Sequence, residues 1–324
     1  MRVYNWSGLS PGLETRVSAH AFFSVAAISL ISTAAAFGQD GLTKGESRIA
    51  ADRSREVATM ELKPLGNTKV MVPGIGLGTW RYRGGEAPIR RGLELGAFLI
   101  DTAEIYGTEE VVGRAVQSRR PQVFLATKVS ASHLSYDDVL RAAESSLRRL
   151  GTDVIDLYQI HWPNPSIPLK ETLRAMEVLV DTGKVRYIGV SNFSVDNLRR
   201  AQATMQHYPI VSNQIIYNLN RRQIENDLLP YCQKHHITVI AYTPLDHGRL
   251  AMPSAHSHSM RVLEQVAAEV HKSLAQVALN WLTAHPQVIS IPKSNHVGRI
   301  EENCGASGWR LSPSQMQRLN AAFA

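Results

Sequence analysis

The sequence predicts an α/β fold, a (β/α)8 TIM barrel with an N-terminal β-hairpin before the first barrel strand. Three features of the chain point there. Eight short apolar runs recur at residues 75–77, 98–101, 123–127, 155–160, 185–190, 211–214, 238–242 and 288–291. Segments with apolar residues at helical spacing lie between them. From the second run onward, each run ends at or beside a polar or aromatic side chain. Near-continuous apolar strands suit a parallel sheet covered on both faces, and eight strand–helix alternations favour a closed barrel over a doubly wound sheet.

Taken in order, residues 62–72 read as the hairpin, with Gly66-Asn67 at its turn. After the third run, Leu140, Ala143, Leu147 and Leu150 keep to one helical face, and Gly151 supplies a stop. Leu173, Met176 and Val180 repeat the pattern before Gly183, and Val262, Val266 and Val270 do so later. A short helix after the last run carries Arg299, Glu302 and Asn303 on one face.

Composition narrows the function. The chain has 324 residues, 44% apolar and 19% charged, which is globular rather than disordered. Its two cysteines, Cys232 and Cys304, make no disulfide framework, and no metal site is expected from their spacing. A net charge of +7 invites a nucleic-acid reading. The basic residues, however, come as scattered pairs such as Arg90-Arg91 and Arg148-Arg149, without interleaved aromatics. Solvated helix faces account for them, and no nucleic-acid partner is expected.

Catalysis in such barrels gathers at the C-terminal ends of the strands. There the sequence offers Asp101 with Tyr106, then Lys128, His161, Ser191-Asn192, Gln214, Tyr242 and Lys293. A phenol of pKa about 10 is a poor acid near neutrality. An ammonium beside it favours the phenolate and lowers that pKa, while a carboxylate holds the ammonium in place. An imidazole opposite can orient a carbonyl oxygen. Asp101, Tyr106, Lys128 and His161 therefore read as a proton-delivery group. Each alone has a plainer explanation, a strand-end turn former, a loop hydrogen bond, an ion pair or a satisfied core histidine. Their convergence on successive strand ends outweighs those. Lys293, Ser294 and Arg299, with Glu302 and Asn303 following, could clasp a phosphate, with a solvated capping segment as the equal alternative on the residues alone. Trp80, Tyr82 and Trp162 are candidates to line an apolar substrate pocket, with a core role as the alternative.

Two glycine patterns lead elsewhere. Gly74-Ile75-Gly76-Leu77-Gly78 has the wrong spacing for a dinucleotide fingerprint. Gly189-Val190-Ser191-Asn192-Phe193 lacks the second glycine of a nucleophile elbow. His256 and His258 have no nearby third ligand, so a loop is expected there, and residues 246–259 suit a flap over a bound cofactor.

From Met60 onward the chain resembles an aldo-keto reductase of the bacterial type. The resemblance rests on Gly76-Leu77-Gly78-Thr79-Trp80, Leu99-Ile100-Asp101-Thr102-Ala103 with Tyr106-Gly107, Thr127-Lys128, and Asp156-Leu157-Tyr158 with His161-Trp162-Pro163. It continues through Ile188-Gly189-Val190-Ser191-Asn192-Phe193, Asn213-Gln214, Ala241-Tyr242 with Pro244-Leu245, and Ile291-Pro292-Lys293-Ser294 with Glu302-Asn303. It implies NADPH-dependent reduction of small aldehydes and ketones by hydride transfer. Tyr106 would be the general acid, Lys128 and Asp101 its tuning pair, and His161 the carbonyl-orienting residue. Ser191, Asn192 and Gln214 match carboxamide contacts, Tyr242 the ring stacked on the nicotinamide, and Lys293, Ser294, Arg299, Glu302 and Asn303 the adenosine 2′-phosphate and adenine contacts. The segment after Leu311-Ser312-Pro313 is short, and the long C-terminal loop that shapes steroid pockets in some relatives has no counterpart. Small substrates are therefore expected.

Two rival functions remain open at this level. A Schiff-base aldolase would use Lys128 as nucleophile, although its charge partner Asp101 opposes the neutral amine this needs. A nucleotide-holding sensor subunit would turn over slowly.

Residues 1–59 form an N-terminal extension ahead of a barrel at 60–324. Residues 19–38 contain no Asp, Glu, Lys or Arg, and Ala36-Phe37-Gly38 has the form of a signal-peptidase site. A signal peptide, a membrane anchor and a start mis-assigned ahead of Met60 are the alternatives. The twin-arginine signal for exporting cofactor-loaded proteins is absent, and an exported enzyme would meet little NADPH. A cytoplasmic monomer is expected, its extension dispensable and its barrel without a stable membrane partner.

Overall fold

The structure, a computed structural model, describes residues 59–254 and 257–324. The apolar segment at 19–38 and His256 lie outside the described residues. The first element is a hairpin of β1 (Leu62–Pro64) and β2 (Met71–Pro73), paired antiparallel. Gly66 takes φ 57 in its turn, and the Leu65 N–H donates to the Val70 carbonyl at 2.9 Å. Leu65 and Val72 are buried with Phe124, Leu157, Ile240 and Ile289, so the hairpin plugs one end of the barrel. Lys63 fastens it by donating from Nζ to the carbonyls of Thr283 and His285.

Eight parallel strands follow: β3 (Leu77–Gly78), β4 (Leu99–Asp101), β5 (Phe124–Val129), β6 (Ile155–Ile160), β7 (Val185–Ser191), β8 (Ile210–Ile216), β9 (Thr238–Tyr242) and β10 (Val288–Ser290). Each pairs with the next in sequence. Closure comes from residues just before β3. The Gly76 N–H donates to the Ser290 carbonyl at 2.8 Å and the Ser290 N–H to the Gly74 carbonyl at 2.9 Å. The first expected strand, 75–77, is thus divided, its start bonding β10 and Leu77–Gly78 bonding β4. The glycines there serve close approach. A Cβ on Gly76 would stand 2.9 Å from the Leu99 carbonyl oxygen, and one on Gly78 2.7 Å from that of Ile291.

The helices are α1 (Ala87–Glu94), α2 (Glu109–Val116), α3 (Tyr136–Leu150), α4 (Leu169–Asp181), α5 (Val195–Thr204) and α6 (Leu228–Lys234). Then come α7 (His258–Glu269), α8 (Leu274–Ala284), α9 (Val297–Cys304) and α10 (Pro313–Ala322). In α3, Ala143, Leu147 and Leu150 are buried, the Ser135 side chain caps the start, and Gly151 at φ 62 ends it. Ser273 and Gln276 form a capping box on α8. His258 is the first residue of α7 rather than part of a loop, because Ser257 accepts the Met260 N–H as N-cap. The main core lies between barrel and helices, where Leu125, Tyr158, Ile160, Val190 and Trp281 are buried. Among the described residues, no helix is long and apolar enough to cross a membrane.

Candidate active site

Side chains alternate across a strand, and the barrel interior changes character along its length. Near the hairpin it is filled by Leu99, Phe124, Ala126 and Leu157. One step further on the same faces stand Asp101, Lys128 and Gln159, all buried. Lys128 Nζ donates to Asp101 Oδ1 at 2.5 Å and to the Thr102 carbonyl at 2.8 Å. Asp101 Oδ2 accepts from Gln159 Nε2 at 3.1 Å and from Gln214 Nε2 at 2.8 Å. The carboxylate is saturated by donors, which is how a buried charge is held.

Tyr106 ends a 3-10 turn, Glu104–Tyr106, that rises from β4 and is released by Gly107 at φ 67. Glu104 anchors the turn by accepting the Ser130 N–H and lying 3.0 Å from His133 Nδ1. The Tyr106 ring then sits over Lys128, whose Nζ is 4.9 Å from the ring centroid. Tyr106 Oη is 3.2 Å from Nε2 of His161, which follows β6, and the two rings meet edge to face. A carbonyl oxygen placed between hydroxyl and imidazole would meet both.

Burial sets the charges of this group. It pushes the Tyr106 phenol up; Lys128 opposes it, Asp101 adds to it, and the net direction is upward. This corrects the expectation of a lowered phenol, because desolvation of the phenolate outweighs the attraction of the ammonium. The phenol therefore carries its proton at neutral pH. Burial also works against the Lys128 ammonium, but Asp101 and Tyr106 outweigh it and raise its pKa. A raised lysine pKa works against the neutral amine that a Schiff-base aldolase needs. His161 is pulled down to about 4 by burial and then by Lys128, so its imidazole is neutral.

One cavity of about 660 Å³ opens over these groups. It is lined by Asp101, Tyr106, His161, Ser191, Asn192, Gln214, Tyr242, Lys293, Ser294, Arg299, Glu302 and Asn303, with Trp80 and Trp162 at its mouth. Of the catalytic and cofactor-binding candidates read from the sequence, only Lys128 is outside the lining; it lies beneath, fully buried. Trp80 and Trp162 are 44% and 50% exposed, which rules out a core role for either. Tyr82 does not line the cavity; it is buried, and its hydroxyl donates to the Gly85 carbonyl at 2.7 Å.

The lining is graded. At one end Asn192, held at φ 63, donates from Nδ2 to the His161 carbonyl at 3.0 Å, and its Oδ1 accepts the Tyr242 hydroxyl at 2.9 Å. Ser191 and Gln214 stand beside it, and Gln214 spends its amide nitrogen on Asp101. This end suits a carboxamide, and the Tyr242 ring offers a flat face next to it. At the other end Lys293 and Arg299 are exposed beside the start of α9. Partial burial and then nearby Arg83 lower the Lys293 pKa, so positive charge crowds there and an anion would relieve it. Amides, an aromatic face and cations in that order fit a nicotinamide dinucleotide bearing an extra phosphate. The backbone is strained along the same rim, with positive φ at Arg81, Asn192, Thr243 and His247, as at many functional sites.

Sequence reasoning missed several residues. Ile105, Leu245, His247 and Ala251 line the cavity, and Gln159 lies under it. His247 comes from the segment expected to act as a flap, and its ring centroid is 6.2 Å from that of Trp80. Period-two alternation back from His161 would have found Gln159; His247 and Ala251 fall inside the segment expected as a flap, Leu245 in a motif already noted, and nothing local marks Ile105.

Comparison with known proteins gives a consistent result. The model of the aldo/keto reductase family matches residues 74–324. Methylglyoxal reductase YeaE of Escherichia coli is 38% identical over 266 residues, covering 78% of this chain and 92% of that protein. Glyoxal reductase of Bacillus subtilis is 36% identical over 258 residues, covering 78% and 89%. A crystal structure of an aldo/keto reductase from Klebsiella pneumoniae in complex with NADP and acetate superposes with a TM-score of 0.74 at 38% identity, covering 82% of this chain and 95% of that one.

Proposed function

The chain belongs to the aldo/keto reductase family of oxidoreductases, and on that premise we propose that it is an NADPH-dependent reductase of small aldehydes and ketones. The observation that carries the reading is an imidazole and a phenol 3.2 Å apart, above a buried lysine–aspartate pair, at one cavity. NADPH, when bound, supplies the hydride to the carbonyl carbon. His161 Nε2–H donates to the carbonyl oxygen and fixes its direction. Tyr106 gives that oxygen its proton. The charge left on the phenolate is offset by the Lys128 ammonium, which Asp101 keeps protonated and in place. Ser191, Asn192 and Gln214 hold the carboxamide, Tyr242 backs the ring, and Lys293, Ser294, Arg299, Glu302 and Asn303 hold the adenosine phosphate end.

Trp80, Trp162 and Ile105 give the mouth an apolar, aromatic rim suited to small organic carbonyl compounds. The names of the two curated relatives make 2-oxoaldehydes the first substrates to try. Following NADPH oxidation with methylglyoxal, glyoxal and a panel of simple aldehydes and ketones tests the reading. Saturable turnover on at least one of them is expected, faster with NADPH than with NADH. Tight NADPH binding with no turnover on any would instead favour a nucleotide sensor.

A further inference from the structure

Beneath the cavity, two glutamine side chains and one carboxylate form a closed set. Asp101 Oδ2 takes one hydrogen bond from Gln159 Nε2 at 3.1 Å and one from Gln214 Nε2 at 2.8 Å. Gln214 Nε2 also lies 3.4 Å from Gln159 Oε1. All three residues are at most 3% exposed. A primary amide has donors on one side and an acceptor on the other, so a charged neighbour decides which way round it sits. With Nε2 facing the carboxylate, Gln159 must turn Oε1 toward Gln214. Gln214 then has two acceptors before it, Asp101 Oδ2 and Gln159 Oε1, and its nitrogen must face both. Its own Oε1 is left as the acceptor it offers to the cavity. Reversing Gln214 would set its oxygen against a carboxylate and a carbonyl in a dry interior, where unpaired acceptors are costly.

The barrel makes room for this. Gln159 lies in β6 opposite Lys128 of β5 and Gly189 of β7. A Cβ at Gly189 would come within 3.1 Å of Gln159 Cγ and 2.5 Å of Ser212 Oγ. Gly189 therefore leaves the space that the Gln159 stem needs.

We propose that Gln159 is a positioning residue: through Asp101 and Gln214 it fixes the acceptor that receives the cofactor's carboxamide, and so ties the proton-delivery group to nicotinamide binding. The proposal rests on the NADPH reading above, and it can be tested by binding alone. Gln159→Met keeps the length of the side chain and removes both polar atoms; Gln159→Leu is a second variant should the first fold poorly. Tryptophan fluorescence titration without substrate would give affinities for NADPH and for 2′,5′-ADP, which carries the 2′-phosphate but no nicotinamide. NADPH should bind roughly five- to tenfold more weakly, the effect of one lost buried hydrogen bond. The 2′,5′-ADP affinity should not move, while the melting temperature should fall by several degrees as Asp101 loses one buried donor. On a Gln214→Leu background the change at 159 should add nothing to the loss of NADPH affinity. Equal weakening of both nucleotides, or no weakening of either, would overturn the proposal, as would full additivity with Gln214→Leu. A wild-type protein that binds neither nucleotide would sink the NADPH reading instead.

Discussion

At the scale of the residue, burial decides which groups hold protons. His161 has a folded pKa of about 4, against about 6.5 for a histidine in an unfolded chain. As the pH falls through 6.5 the unfolded chain takes up this proton, and the folded chain does not until about 4. The stability this group contributes is complete above about 6.5 and is lost as the pH drops across that window. Thermal melts of wild type and His161→Asn should therefore converge as the pH falls from 7 toward 4. Parallel melting curves would mean that the imidazole is not buried as described. Arg299 offers a second check. Truncating it to alanine should weaken NADPH by about 1.5–3 kcal/mol, as for other charged hydrogen bonds, while NADH affinity changes little. Equal losses for both cofactors would place the 2′-phosphate elsewhere. Tyr106, Lys128, Asp101 and His161 were legible because strand ends in a barrel converge, whatever the loops do. The direction of the Tyr106 shift was not, since it depends on how deeply the turn at 104–106 sinks the ring.

Among the elements, β3 and β8 show where a linear pattern stops informing. The run at 74–78 reads in sequence as a strand at 75–77 with the wrong spacing for a dinucleotide fingerprint, and nothing in it says why it is so rich in glycine. The glycines let a short strand close the barrel between β4 and β10. Gly78→Ala would push a Cβ to 2.7 Å from the Ile291 backbone oxygen, so one backbone must move. An overpacking cost of about 1–3 kcal/mol follows. Because Pro292 and Lys293 come next in the chain, NADPH affinity should fall along with the melting temperature. A variant as stable as wild type would show that closure at this point is looser. In β8 the register shifts, with Ile188 opposite Ile210 but Gly189 opposite Ser212, so Val211 is an extra residue. Val211 reaches the apolar bottom of the barrel, and Gln214 still reaches Asp101. No spacing rule reveals such a bulge, because the apolar run simply continues through it. The helices were far easier to read. Their faces follow from one period, and Gly151 marks the end of α3 in sequence as in structure.

For the whole molecule, a hairpin seals one end of a closed barrel and leaves the other end to hold chemistry. The family model begins at residue 74 and runs to 324, so the matched part of the chain is the barrel itself. A chain starting at Met60 should retain the full turnover of the 324-residue chain, measured as NADPH oxidation. A large loss would give the extension a part in the enzyme. The central claim is more local: the hydroxyl of residue 106 delivers the proton while the cofactor is held by other groups. Tyr106→Phe removes one oxygen and leaves the ring over Lys128. Measuring its single-turnover rate and its NADPH affinity together tests the claim most directly. The expected result is a loss of reduction of at least about a thousandfold, with affinity within a few-fold of wild type. Reduction that survives the substitution, or an affinity that collapses with the rate, would contradict it.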